Sequence, residues 1–268
     1  MKKIILFWII AFIITASSAV FQRMTGPTYP LSGKIKFDGK EIKYKFMRSE
    51  ETVRDCRVDI VVNDNSISGT LYWRKYKYDK EYNRVEMTGG DTLTAFLPKQ
   101  PSAGKLEYYV ELEKGSEIID APNDRAVVIR FKDVVPAWLL IPHVIFMFGA
   151  MLLSTRTGLE FFNREPDFIK LTSWTLGFLL IGGFILGPLV QLYAFGALWT
   201  GFPFGYDLTD NKTLIAALVW IFAWYKIKKS PNPKLWVLIA AIVMMIVFLI
   251  PHSVLGSELD YSKLENHK

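Results

Sequence analysis

Residues 134–154 run for about 21 positions without a formally charged side chain, and His143 is their one titratable group. At 1.5 Å per residue, a helix of that length spans about 30 Å, the thickness of a bilayer's hydrocarbon core. The stretch predicts a transmembrane helix. Pro136 suits its first turn, where a missing N–H costs little, and Trp138 suits an interface. The end falls in Ser154-Thr155-Arg156-Thr157-Gly158. This segment divides the chain. Residues before it are polar and alternate with period two, and most of those after it form long apolar runs.

Segregation of this kind reconciles two numbers that a single soluble domain rarely combines: 51% hydrophobic and 22% charged residues. The formal net charge of +6 does not point to nucleic acid. Many of the basic residues flank apolar segments, where they set orientation, and no run of five or six occurs. The single cysteine, Cys56, excludes an internal disulfide or a thiolate cluster. It reads as a small buried hydrophobe in a strand.

The chain opens MKKIILFWIIAFIITASSAV. Two lysines, an apolar core and small residues have the form of a signal peptide cleaved near Ser17-Ser18-Ala19. Ile4 to Phe21 is also long enough to stay as an anchor. Residues 1–21 are therefore an anchor or signal segment, and the residues after them are exported on either account. Gln22 to Pro30 is a Gly/Pro linker. From Leu31 the pattern predicts seven or eight short strands over 22–133. Asp38-Gly39, between Lys34–Phe37 and Ile42–Phe46, is a hairpin signal. Regular turn signals between short strands suggest an antiparallel sandwich.

Thr94-Ala95-Phe96-Leu97-Pro98-Lys99-Gln100-Pro101-Ser102-Ala103-Gly104-Lys105-Leu106-Glu107-Tyr108-Tyr109-Val110-Glu111-Leu112 resembles the strand–proline loop–strand segment of fibronectin type III and related immunoglobulin-like domains of exported bacterial proteins. Glu113-Lys114-Gly115 stands where that family usually has Asp-Gly. The resemblance implies a sandwich fold and no activity, because such sandwiches host many functions.

Residues 134–252 predict four spans. The second, Leu171 to about Leu192, carries Gly177, Gly182, Gly183 and Gly187; Gly183 with Gly187 lets helices approach closely, and Gly187-Pro188 predicts a kink. The third is Thr213 to Tyr225, short for a span unless its helix starts near Leu208 with Thr209 or Asp210 as cap. The fourth is Leu235 to Ile250, followed by a polar tail, 253–268. Lys2 and Lys3, the 155–170 loop and the 226–234 turn are basic, which places them in the cytoplasm. The sandwich, the 193–212 loop and the tail then lie outside. The fold class expected is a membrane α-helical bundle plus an all-β domain, in a cell (inner or plasma) membrane.

No nucleotide-binding, zincin, hydrolase or redox-dithiol motif is present. Two constellations remain at the outer end of the helices. His143 and His252 each follow a proline and belong to one leaflet, so paired imidazoles there are candidate ligands for haem iron or copper. The simpler account is a hydrogen bond from His143 to a neighbouring helix and an interfacial His252. Asp207, Asp210, Asn211 and Lys212 sit in DLTDNK. Carboxylate and amide oxygens suit a hard cation, but helix capping explains them more simply, with Lys212 paired to Asp207, Glu258 or Asp260. Arg156 at the opposite end is a candidate for phosphate or lipid headgroups, against a simpler snorkelling role. In YWRKYKYDKEY, alternation puts Trp73 and Arg74 on opposite faces.

These features favour a non-catalytic accessory or assembly component. It docks in the lipid bilayer and binds a protein partner, or its own copies, through the sandwich, with no nucleic acid and no required cofactor. The alternatives are a haem- or metal-binding redox protein using His143 and His252, or a small oligomeric transporter or lipid-modifying enzyme.

Overall fold

The structure is a computed structural model and describes residues 2–252, 254, 256 and 258–265. The expected tail 253–268 therefore lies partly outside the described residues. The chain divides into two compact units: a β unit of residues 28–134 and 258–268, and a helical unit of residues 1–27 and 135–257.

The β unit has eleven strands: β1 (Leu31–Phe37), β2 (Lys40–Phe46), β3 (Ser49–Glu51), β4 (Cys56–Val61), β5 (Ser68–Lys75), β6 (Asn83–Glu86), β7 (Thr88–Gly89), β8 (Thr92–Leu97), β9 (Lys105–Lys114), β10 (Glu117–Ala121) and β11 (Val127–Lys132). One sheet runs β1-β2-β4-β8-β7 and the other β3-β11-β9-β5-β6, with β10 also on β9. The short β3, β7 and β10 are the strands that alternation alone does not announce. β3 pairs in parallel with β11, so that sheet is mixed. Phe37 pairs with Lys40 across Asp38-Gly39, and both turn residues have positive φ, +48° and +70°. That is the turn whose twist matches flanking strands.

The two sheets share one core. Ile35, Phe37, Phe46, Val58 and Ile60 from the first meet Leu71, Leu106, Tyr108, Ile129 and Phe131 from the second. Strand β4 alternates buried and exposed along its whole length, and β9 alternates buried and half-buried over Leu106–Leu112. Each fully buried aliphatic or aromatic side chain contributes roughly 1.5–3 kcal/mol, so a charge at Leu106 or Ile129 would undo the sandwich. Cys56 is buried, and burial pushes its thiol up to about 12. The Tyr108 hydroxyl donates to the Met47 carbonyl at 2.8 Å, which fixes the loop after β2.

Residues 258–265 belong to this unit. The Leu259 N–H donates to the Ala103 carbonyl (3.1 Å), and the Tyr261 hydroxyl accepts from the Lys105 N–H (3.0 Å). Glu258 bridges Lys105 (2.6 Å) and Lys77 (3.3 Å). A short helix, α7 (Tyr261–Glu265), ends the segment.

The helical unit comprises α1 (Lys2–Thr25), α2 (Ala137–Leu159), α3 (Phe168–Leu180), α4 (Gly187–Phe195), α5 (Leu208–Lys229) and α6 (Pro233–Leu249). Among the described residues, three helices are long and apolar enough to cross a membrane: residues 3–25, 137–162 and 168–195. This supports membrane association. Of the four expected later spans, α6 is a shorter apolar helix of 17 residues, and α5 carries Asp210, Lys212 and three lysines in its last turn. Helix α1 packs against α2 and α6, burying Ala11, Thr15, Ser18 and Gln22. Their spacing of four, three and four residues marks one helix face.

Close packing depends on glycine at several places, among them Gly149, Gly158, Gly182 and Gly183. A Cβ on Gly158 would come within 2.6 Å of the Ala241 Cβ, and one on Gly183 within 2.6 Å of Thr213 Cγ2. At Gly187 a Cβ would meet the Gly182 carbonyl oxygen of its own helical stretch at 3.3 Å and His143 Cε1 only at 3.6 Å. Gly182 and Gly183 therefore carry the close approach rather than a Gly183/Gly187 pair. The expected kink is a π-helical turn over Ile181–Leu186. Pro188 just beyond it has no N–H for the ladder, and the Gly187 N–H instead reaches back to the Gly182 carbonyl.

Two outcomes follow for the β unit. Tyr108→Phe removes the hydroxyl bond to Met47 and lowers stability by about 1 kcal/mol, read as a shift in the denaturation midpoint of the full chain. Partial burial opposes ionisation of Glu258, but Lys105 and then Lys77 outweigh it and hold the carboxyl below its ordinary 4.5. Its stabilising contribution is present above pH 4.5 and is lost as pH falls through the lower folded value. Proteolysis after Leu259 should therefore accelerate on acidification in the wild type, and Glu258→Gln should abolish that pH dependence.

Candidate functional site

Helix α5 starts at Leu208, and its cap is Asp207, whose carboxylate accepts from the Thr209 N–H at 2.8 Å. The cap is thus neither Thr209 nor Asp210. Asp210 turns back instead and pins the preceding loop. Its Oδ2 accepts from the Thr200 N–H (2.7 Å), the Gly201 N–H (3.0 Å) and the Thr200 hydroxyl (3.3 Å). Asn211 Oδ1 accepts from the Phe202 N–H at 2.7 Å. DLTDNK organises this corner: Asp207 caps α5, and Asp210 and Asn211 take up N–H donors of the Gly/Pro-rich loop.

Lys212 is buried, and its ammonium donates to the Ile250 carbonyl at 2.6 Å, just past the end of α6. The expected partners Glu258 and Asp260 are engaged elsewhere, with Lys105 and Lys77 and with Ser262. His143 Nδ1 lies 2.9 Å from the Gly182 carbonyl. A carbonyl only accepts, so Nδ1 carries the proton and Nε2 the lone pair. His252 is exposed, within electrostatic reach of Lys212, His143 and Asp207. His143, Asp210, Asn211 and Lys212 are each bonded to a backbone group. Among the described residues, no group of three or more His, Cys, Asp or Glu side chains is placed to hold a metal ion.

Arg156 does not snorkel. It is buried, and its Nη1 donates to buried Glu160 at 2.5 Å, one helical turn on. Glu160 also accepts from Asn163 Nδ2 at 2.8 Å, and the Asn163 carbonyl accepts from Lys234 at 2.7 Å. The guanidinium lies 5.4 Å from the Phe7 ring centre and 5.5 Å from that of Trp8, in cation–π range. Buried hydroxyls surround this end of α2. Thr157 bonds the Leu153 carbonyl (2.6 Å) and meets Thr175 (3.3 Å), while Ser154, Thr155 and Thr172 have no hydrogen-bond partner among the described residues.

In the β unit, the polar face of β5 and β9 holds an aromatic and ionic array. The Tyr72 and Tyr109 rings stack at 4.9 Å, and Tyr82 meets Tyr109 edge-on at 5.3 Å. Arg74 pairs with Glu107 at 2.7 Å and lies 4.4 Å from the Tyr82 ring centre; Arg84 lies 5.3 Å from that of Tyr72. The Tyr72 hydroxyl donates to Glu111 at 3.0 Å. Trp73 points the other way and packs against the core, as alternation predicts. The array was discernible in principle, since Tyr72 and Arg74 share parity on β5, and Glu107, Tyr109 and Glu111 share it on β9. The register that pairs Tyr72 with Tyr109 was not.

A comparison with protein-family models and with curated proteins finds no match to this chain.

Asp210→Ala strands two loop N–H groups and should lower the melting temperature of the detergent-solubilised chain. The expected loss is about 2–3 kcal/mol, the scale of a hydrogen bond to a charged group with its buried donors left unmade. Cleavage within 196–207 should increase. Asp210→Asn, which keeps an acceptor oxygen, should lose less than half as much.

Proposed function

We propose that the protein is a non-catalytic membrane component that binds another protein through the outward face of β5, β6 and β9. The observation that carries this reading is the locked array of Tyr72, Tyr82, Tyr109, Arg74 and Arg84. Tyrosine and arginine are enriched in interface centres, and ring stacking with ion pairing holds them ready, which reduces the ordering cost of association. Glu107 and Glu111 beside the two arginines favour a partner surface of mixed charge. In contrast, the polar residues at the outer ends of the helices are occupied with backbone groups and support a structural role.

The sandwich is of immunoglobulin or fibronectin type III kind. In support, β2-β4-β8 lies within one sheet and β11-β9-β5-β6 within the other, with β1, β7, β3 and β10 as additional strands, and two sheets packed over a shared core are the architecture of that class. Helix α1 remains attached as an anchor, a reading supported by the face at Ala11, Thr15, Ser18 and Gln22 that it buries. Helices α5 and α6 complete a four-helix membrane domain with α2 and the α3–α4 span. The basic 155–170 and 226–234 segments then lie in the cytoplasm of a cell membrane, and the sandwich lies outside.

Extraction of the full chain in mild detergent should co-purify a stoichiometric partner protein. Tyr72→Ala with Tyr109→Ala, or Arg84→Glu, should reduce its recovery at least about tenfold, the scale of a truncated interface anchor. Arg57→Ala on the opposite sheet should leave recovery unchanged. A wild-type chain that purifies alone, or equal recovery across all variants, would reject the proposal.

A further inference from the structure

A cleft of about 580 Å³ opens in the helical unit between α1 and α3, with α2 as its floor. Its apolar walls include Trp8 of α1 and Trp174 and Phe178 of α3; Leu153 and Arg156 of α2 line it below. Polar residues of the α2–α3 connection, from Glu160 to Asp167, close one end, followed by Lys170 in the first turn of α3. Lys170 and Phe178 stand eight positions apart on the helical stretch, so polarity falls off over about 12 Å along the helix axis. This is an amphipathic gradient at the scale of a headgroup and the first segments of an acyl chain. The volume lies within the roughly 300–1,000 Å³ of ligand sites.

The floor supplies the second observation. Arg156 is 3% exposed, and its Nε has no hydrogen-bond partner among the described residues, although its Nη1 is paired with Glu160. A buried guanidinium N–H without an acceptor is costly, and Arg156 is a residue that lines the cleft, so a ligand oxygen there would add an acceptor to this guanidinium. Arginine favours phosphate oxygens because its planar fork offers several donors. Arg156 and Lys170 are the two cationic lining residues, whereas Glu160, Glu165 and Asp167 are anionic. A purely anionic headgroup would meet this carboxylate excess. A zwitterionic one sets its phosphate on Arg156 and its ammonium toward Glu165 and Asp167. Trp8 and Trp174, both substantially exposed, have the amphipathic rings that sit at headgroup depth.

We propose that this cleft is a seat for one zwitterionic aminophospholipid, with its phosphodiester on Arg156 and a chain between Trp8 and Trp174. The shared chemistry is a phosphate oxygen, and the alternative source is a free inorganic anion. The full chain in detergent doped with phosphatidylethanolamine or phosphatidylglycerol is read by native mass spectrometry for retained lipid. Wild type should retain one phosphatidylethanolamine at least about tenfold over phosphatidylglycerol. Arg156→Lys, which keeps a cation for Glu160, should lower that retention on the order of tenfold, one charge-assisted hydrogen bond. Trp174→Ala, at an exposed wall, should lower it without changing the melting temperature in lipid-free detergent, so the test stands if the arginine variant misfolds. Equal retention of the two lipids, or retention unaffected by Trp174→Ala, overturns the proposal. So does stabilisation of the wild type by inorganic phosphate equal to that by phosphatidylethanolamine.

Discussion

Backbone carbonyls released where helices break or end are the groups on which the helical unit depends. In a bilayer no water is at hand to satisfy them, so each must find a donor inside the protein. The π-helical turn over Ile181–Leu186 turns its Gly182 carbonyl to His143 Nδ1. The end of α6 offers the carbonyls of Phe248 and Ile250, and Gln22 of α1 and Lys212 of α5 supply the donors. The α2–α3 connection offers the Asn163 carbonyl to Lys234 at the start of α6. Each polar tie joins elements far apart in sequence. Together they tie the helices of the unit to one another. Glycine at 158 and 183 then allows the helices to close to contact.

The same logic explains why residues that suggest chemistry in the sequence turn out to be structural. Histidine, lysine and aspartate are scarce in apolar helices because burying them is expensive. Their presence therefore signals a compensating partner, and the partner can be a ligand or the backbone. His143 and Lys212 resolve to the backbone. The sequence does not distinguish these cases, because the deciding carbonyls belong to whatever residue the π-turn or the helix end happens to expose.

Local features of the fold were legible. The charge-free run at 134–154 is a helix from Ala137, Asp38-Gly39 is a tight turn of two residues, and the alternation of β4 and β9 faces the core as written. Legibility declined wherever a contact spans the chain. The three-residue β3 owes its existence to β11, which pairs with it in parallel, and no periodicity fits into three residues. The polar tail gave no sign of Tyr261 reaching the Lys105 backbone. Asp210 read as a cap because it starts a helix, but its partners are set by a loop whose path through Thr200 and Gly201 depends on tertiary context. Arg156 and Glu160 are an intermediate case. Their spacing of four predicts an ion pair on any helix, and only the burial by α1 makes that pair significant.

Burial of that pair sharpens the contrast between the two ends of the bundle. A buried ion pair is weak support for stability, because desolvating two charges offsets much of their attraction, and apolar replacements of similar volume are often as stable. Lys212 is explained without further help, since its ammonium ties a helix end. Arg156 is not explained in the same way. Glu160 lies one turn away on the same helical stretch, so the ion pair itself links no two helices, although the guanidinium also meets Phe7 and Trp8 of α1; three buried hydroxyls of α2 and α3 have no hydrogen-bond partner among the described residues. Stability alone would be as well served by leucine at both positions. The proposed lipid seat accounts for the pair and the cleft it lines together, since the guanidinium would then hold a ligand oxygen as well as Glu160.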